Sequence, residues 1–203
     1  MLKAPEYKQR ELIPENNYHG ICYCVCDMGT HSKEYMGQTK MVRQLLLGFE
    51  LTNLRHEVDG ADMGPKVIST RETFSMHEKA TLRKLISTWR GKGLTQQQAL
   101  DFDFEKLLSK TAIIQVLHKE SKAGKTYQYI AGITCPQDGV QDKQTENDLI
   151  FFTFGMDFPE SMHDWIREEI KKSEEYKMIS DAANDEHNPE NIEEWDGDTD
   201  EIP

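Results

Sequence analysis

Between Asn17 and Asp27 the chain reads NYHGICYCVCD, a run of β-formers in which Ile21, Tyr23 and Val25 alternate with Cys22, Cys24 and Cys26. A period of two is the mark of a strand, and it predicts the three cysteines on one face and Ile21, Tyr23 and Val25 on the other. The polar, glycine-containing stretch 28–39 (MGTHSKEYMGQT) predicts a loop. KMVRQLLLGFELT, over 40–52, predicts a second strand in which Gly48 marks a bulge or sharp bend. After the turn-rich NLRHEVDGADMGP, a third strand is expected over 66–74 (KVISTRETF).

The period then changes. Ser75 and Glu78 have the spacing of a capping box, and Leu82, Leu85, Ile86 and Trp89 follow at helical spacing as far as Gly91, which makes Trp89 a core residue. Thr95 and Gln98 repeat the capping signature, and DFDFEKLLSK predicts a short helical turn stacking Phe104, Leu107 and Leu108. Two strands follow, TAIIQVLH over 111–118 and TYQYIAGIT over 126–134, joined by a long hairpin loop. Beyond them lie a short apolar segment, DLIFFTF over 148–154, and an amphipathic helix, ESMHDWIREEIKKSEEY over 160–176, capped near Ser161.

Three strands, a helical segment and two strands make the element order of an OB-fold, a five-stranded Greek-key barrel with a helix between strands three and four. The expectation is a mainly β fold with α: an N-terminal arm over 1–16 and the barrel over 17–145. A strand and helix over 146–180 would pack on or extend the barrel, and 181–203 would be a disordered acidic tail.

Charge sharpens this division. The 203 residues carry a net charge of -12, which by itself argues against a polyanionic partner. Residues 181–203, however, hold ten acids and no Lys or Arg, while residues 1–145 hold 20 basic and 17 acidic side chains. A mildly basic body therefore carries an acidic tail. No stretch reaches the roughly 18 apolar residues of a membrane span, and the opening MLKAPEYKQRELIP lacks a hydrophobic signal region, so a cytoplasmic protein is expected. The C-x-C-x-C spacing of Cys22, Cys24 and Cys26 does not match zinc or redox pairs, and buried packing in a reducing cell is its plainest reading. Neither a metal nor a cofactor is expected.

Single-strand binders combine a basic groove with aromatic side chains on which bases stack. Lys33, Tyr35, Lys40 and Arg43 fall in and beside the first interstrand loop, and Lys119, Lys122, Lys125, Tyr127 and Tyr129 in and beside the last hairpin. These are the two loops that flank the binding face of an OB-fold. Taken singly, each lysine reads as a solvated turn residue and each tyrosine as a strand former; it is their joint placement that points to nucleic acid. Catalytic signatures are thin. Asp101, Asp103 and Glu105 in DFDFE could hold Mg2+, but they read more simply as turn and helix-start residues, and His77 is a weak base candidate.

The ending DGDTDEIP resembles the acidic tip of bacterial single-stranded-DNA-binding proteins, without their terminal Phe after Pro203. The body, in MLKAP, CVCDMGT, FSMHEKATLRKLISTWRGKGLT, FDFEKLL and LHKESKAGKTYQYIAGIT, resembles a family of phage-encoded single-stranded-DNA-binding proteins over roughly residues 1–135. The resemblance implies an OB-fold protein of phage or prophage origin that coats single strands during replication, recombination or repair. Its tail, with Trp195, Asp196, Asp198, Asp200, Glu201, Ile202 and Pro203, would recruit phage or host replication and recombination proteins or compete with DNA. The expectation is therefore a non-catalytic binder of single-stranded DNA. The alternatives are an interaction module of a phage replication complex and an acidic mimic of DNA. The amphipathic helix over 160–176 suits packing on the barrel and pairing subunits as a homodimer equally well.

Overall fold

The computed structural model describes residues 11–35, 37–136 and 144–186. In chain order these form β1 (Asn16–Tyr35), β2 (Gln38–Val58), β3 (Ala61–Thr73), α1 (Thr81–Trp89), α2 (Gln96–Leu100), a 3-10 turn (Phe104–Leu107), β4 (Thr111–Glu120), β5 (Thr126–Thr134), β6 (Ile150–Phe152), α3 (Asp164–Ile170) and α4 (Glu174–Glu186). The first five strands make one curled antiparallel sheet, a half-barrel, in the order β3-β2-β1-β4-β5, and β6 adds a short parallel pairing to β1. The molecule is thus mainly β with a few helices, and α1 and α2 enter between the third and fourth strands as the periodicity predicts.

The inner core gathers Val25, Leu45, Leu47, Phe49, Leu51, Ile114, Val116 and Ile133 from the strands, and α1 adds Leu82, Ile86 and Trp89. Trp89 is buried as expected: its ring lies edge-on to Phe49 at 5.3 Å, and its indole N–H donates to the Thr111 carbonyl at 2.9 Å. Residues 11–15 strap the two edges of the sheet together. Glu11 pairs with Lys66 of β3 at 2.9 Å, the Ile13 N–H donates to the Gln128 side chain of β5 at 2.6 Å, and the Ile13 side chain enters the inner core. Part of the expected N-terminal arm is therefore structural.

A second core lies on the outer face of β1 and β2, where Tyr23, Cys24, Cys26, Met28 and Leu46 meet Ile150, Phe152, Met162, Ile166 and Ile170. The segment 146–180 does pack on the sheet, and each of its fully buried large side chains contributes about 1.5–3 kcal/mol. The apolar stripe of α3 is spent against its own chain. Sandwiched between two cores, β1 is buried on both faces, which explains its unbroken apolar run.

Several expectations are corrected. The cysteines do not share a face: Cys22 pairs with Phe49 and Cys24 with Gly48, leaving Tyr23 as an extra residue in a β-bulge. The bulge resets the alternation, so Cys22 joins Val25 inside while Tyr23, Cys24 and Cys26 turn outward. Gly48 is the residue facing this bulge, and a Cβ there would stand 2.9 Å from that of Cys24. The expected loop over 28–39 is mostly strand, because β1 and β2 continue as a two-stranded ribbon to Tyr35 and Gln38. Likewise 53–65 is a second ribbon, closed at Asp59 and Gly60, both with positive φ.

The helix boundaries also move. Ser75 and Glu78 do not cap a helix; α1 begins at Thr81 after Ala80, whereas the Thr95–Gln98 capping box is formed in full. The helix expected over 160–176 is two: α3 follows His163 rather than Ser161, and α4 begins after the buried Ser173, whose hydroxyl accepts from the Tyr176 N–H at 3.2 Å. The α4 helix runs on through 181–186, residues that composition assigns to the tail.

Candidate nucleic-acid interface

The nine predicted contact residues fall into two groups at opposite ends of β1. The β4 strand runs antiparallel to the start of β1, Ile21 facing Thr111 and Asn16 facing Val116, so the hairpin after Glu120 extends away from the ribbon tip. The 20 residues of β1 separate the two groups by a contour of roughly 60 Å. The two groups thus sit on separate arms, the β1–β2 ribbon and the β4–β5 hairpin.

On the ribbon arm Lys33 stands directly opposite Lys40, and both are exposed. Like charges in that relation destabilise a strand pair, so the ribbon holds two ammonium groups side by side, with no carboxylate paired to either among the described residues. Tyr35 ends β1, facing Gln38 in the register. Arg43 does not join this group. Its guanidinium donates from Nε to Asp27 at 3.1 and 3.2 Å and from Nη2 to the same carboxylate, and it lies over the rings of Phe74 and Phe154 at 5.6 and 6.0 Å. The hydrogen bonds it donates to Asp27 hold its pKa above the ordinary arginine value. Asp27, only 3% exposed, also accepts from the Gly29 N–H at 3.0 Å. Arg43 is thus the counter-ion of a buried carboxylate at the root of the ribbon, with 45% of its side chain still exposed.

A second latch lies beside it. The N–H and hydroxyl of Thr30 both donate to Glu175 of α4 at 2.7 Å. Gly29, with φ of +75°, sits so close to Ser173 that a Cβ would meet its Cβ at 2.5 Å. The ribbon is consequently fixed to the C-terminal helices at its base.

On the second arm β4 and β5 place Tyr127 opposite Lys119 and Tyr129 opposite Leu117. Tyr127 and Tyr129, two apart on β5, share the outward face and are 41% and 36% exposed. Two aromatic side chains about 7 Å apart, with Lys119 across from the first and Lys122 and Lys125 in the turn, form a platform with cations at one end. The turn is ordered by the Ser121 N–H to Lys125 carbonyl bond at 2.9 Å and by the Ser121 hydroxyl accepting from the Lys125 N–H at 3.0 Å.

Two carboxylates of DFDFE have local partners. Asp103 caps the 3-10 turn through the Glu105 N–H and pairs with Lys106, while Asp101 accepts from Gln97 at 2.5 Å. Among the described residues no three His, Cys, Asp or Glu side chains gather where they could hold a metal ion, and no helix is long and apolar enough to cross a membrane. Burial raises the Cys22 thiol well above its ordinary value, which leaves it a packing group. The tail residues Trp195, Asp196, Asp198, Asp200, Glu201, Ile202 and Pro203 lie outside the described residues.

Sequence reasoning passes over Trp165. It stands 50% exposed on α3 with the Arg71 guanidinium 5.9 Å over its ring. The available signal is its position beside Ile166, just off the Met162, Ile166, Ile170 stripe that buries the helix. Comparison of the chain with protein-family models and with curated proteins gives no match.

Proposed function

We propose that the chain is an OB-fold protein that binds single-stranded DNA largely without sequence preference, as a coating protein of phage type in replication, recombination or repair. Support for the fold is the strand order β3-β2-β1-β4-β5, with the helices inserted between the third and fourth strands. The observation that carries the function is the outward face of β4 and β5, where Tyr127 and Tyr129 stand exposed beside Lys119, Lys122 and Lys125. Every base has a face to stack, so such a platform favours single strands over duplex and discriminates little among sequences. The Lys33–Lys40 pair on the other arm supplies phosphate contacts, and the acidic tail competes for the basic arms and recruits partner proteins.

The test is an anisotropy titration of labelled oligo-dT with the full chain, at low and moderate salt, against duplex competitor. Salt-sensitive binding that resists duplex supports the reading. Absence of binding at low salt overturns it and leaves an interaction module or a DNA mimic, whose partner is a protein.

A further inference from the structure

We propose a base-stacking position formed by Trp165 and Arg71 on the outer face of β3, continuous with the lysine-bearing face of the ribbon. The proposal rests on the single-stranded-DNA reading and names a part of the site outside both predicted arms.

Register carries the continuity. Arg71 lies directly opposite Leu46, and Thr73 opposite Gln44, so these four share one face of the sheet. Stepping by two along β2 from Leu46 through Gln44 and Val42 reaches Lys40 on that same face, with Lys33 across from it. Six residues of strand separate Lys40 from Leu46, a distance of about 20 Å. Leu46 itself is buried beneath the C-terminal segment, but Arg71 and Thr73 are exposed. The segment therefore covers the outer face of β1 and β2 and leaves a strip along β3 open, with α3 as its wall.

Trp165 stands on that wall. Ile166 and Ile170 bury the helix at 1% and 0% exposure, so α3 is anchored without help from the indole. Leaving half of a tryptophan in water forgoes the burial free energy that its neighbours gain, while an accessible ring face is what a base needs. Arg71 is held between the ring and Glu169, whose carboxylate accepts at 3.3 Å, so the guanidinium is oriented before any ligand arrives. The adjoining depression of about 390 Å3 is bordered by His31, Met41, Lys172 and Lys177. Arg71, Lys172 and Lys177 border it in ion pairs with Glu169 and Glu174. Lys33 and Lys40 lie farther along the ribbon with no carboxylate paired to them among the described residues, an excess of cations that suits a phosphate backbone.

Tryptophan emission tests this directly. In a Trp195→Phe chain only Trp165 is exposed among the described tryptophans, since Trp89 is buried. Titrating that chain with oligo-dT should quench the emission, saturating together with the anisotropy of a labelled oligonucleotide. Trp165→Ala should weaken binding by about 5- to 150-fold, and Trp165→Phe should restore most of it. If anisotropy rises while Trp165 emission stays constant and Trp165→Ala binds like the parent, the stacking position is wrong and the DNA reading stands. If the parent shows no anisotropy change at low salt, the reading fails and the stacking position fails with it.

Discussion

The two arms present cations in different ways. On the ribbon a lysine faces a lysine, and on the β4–β5 hairpin a lysine faces a tyrosine. Their roots differ as well. The ribbon is held by charged groups, Arg43 on the buried Asp27 and Glu175 on Thr30, whereas the hairpin is held by the strap. There the His118 ring meets the Ile13 carbonyl at 2.7 Å and the His118 backbone N–H donates to the Glu15 carboxylate, while the Gln128 side chain accepts from the Ile13 N–H. The lesson is a division of labour: the ribbon offers point charges on a base built around a buried ion pair, and the hairpin offers stacking surface on a base of side-chain-to-backbone hydrogen bonds with no buried ion pair among the described residues.

Breaking the roots should produce the largest effect. Arg43→Ala leaves the Asp27 carboxylate buried without its cation, and stability should fall by about 3 kcal/mol. Gln128→Ala removes only the acceptor of one backbone N–H, and should lose about 1 kcal/mol. Urea unfolding of the two variants measures both. Equal losses would erase the distinction between the roots.

Next come the tips. Tyr127→Ala and Tyr129→Ala should each weaken oligo-dT binding by about 1–3 kcal/mol with little change in the salt slope. Lys33→Ala should reduce that slope by about 0.7 in log–log terms for each phosphate the lysine neutralises. Lys40→Glu sharpens the contrast further, because it replaces a repelling cross-strand pair with an attracting one. It should gain a few tenths of a kcal/mol in stability while binding more weakly. Should the lysine variants leave the slope alone, phosphate contact belongs to the hairpin and the ribbon is a structural arm.

How much of this is legible in the chain follows from burial. The half-barrel strands and α1 are readable because each faces a core, so apolar residues recur at the period of the element. The ribbon beyond Gly29 reads as a loop because both its faces meet water, and such a strand has no burial pattern to betray it. Alternation misplaces the cysteines because one bulged residue, Tyr23, shifts the side chains that follow it to the opposite face, so Cys22 points inward while Cys24 and Cys26 point outward. Arg43 looks free in sequence because its partner Asp27 is 16 residues away, on the facing strand, and becomes a neighbour only through the hairpin register. Two capping signatures are equally good in sequence, yet only Thr95–Gln98 forms. The Ser75 hydroxyl instead accepts weakly from the His77 N–H at 3.3 Å as the chain turns off β3.

The smallest effect expected is at the second latch of the ribbon, and it carries a sign. Burial pushes the Glu175 carboxyl up, but the hydroxyl and N–H of Thr30 and the charge of Arg43 outweigh it, so its pKa lies below the ordinary 4.5. A carboxyl whose folded pKa is depressed contributes stability above its unfolded pKa and loses it as pH falls through the folded value. Glu175→Gln keeps the shape and removes the charge. The stability gap between parent and variant should therefore be present at neutral pH and narrow as pH drops below about 4.5. A gap that stays constant down to about pH 3 would mean the latch works through shape and hydrogen bonding alone, and the ribbon's root would then resemble the hairpin's.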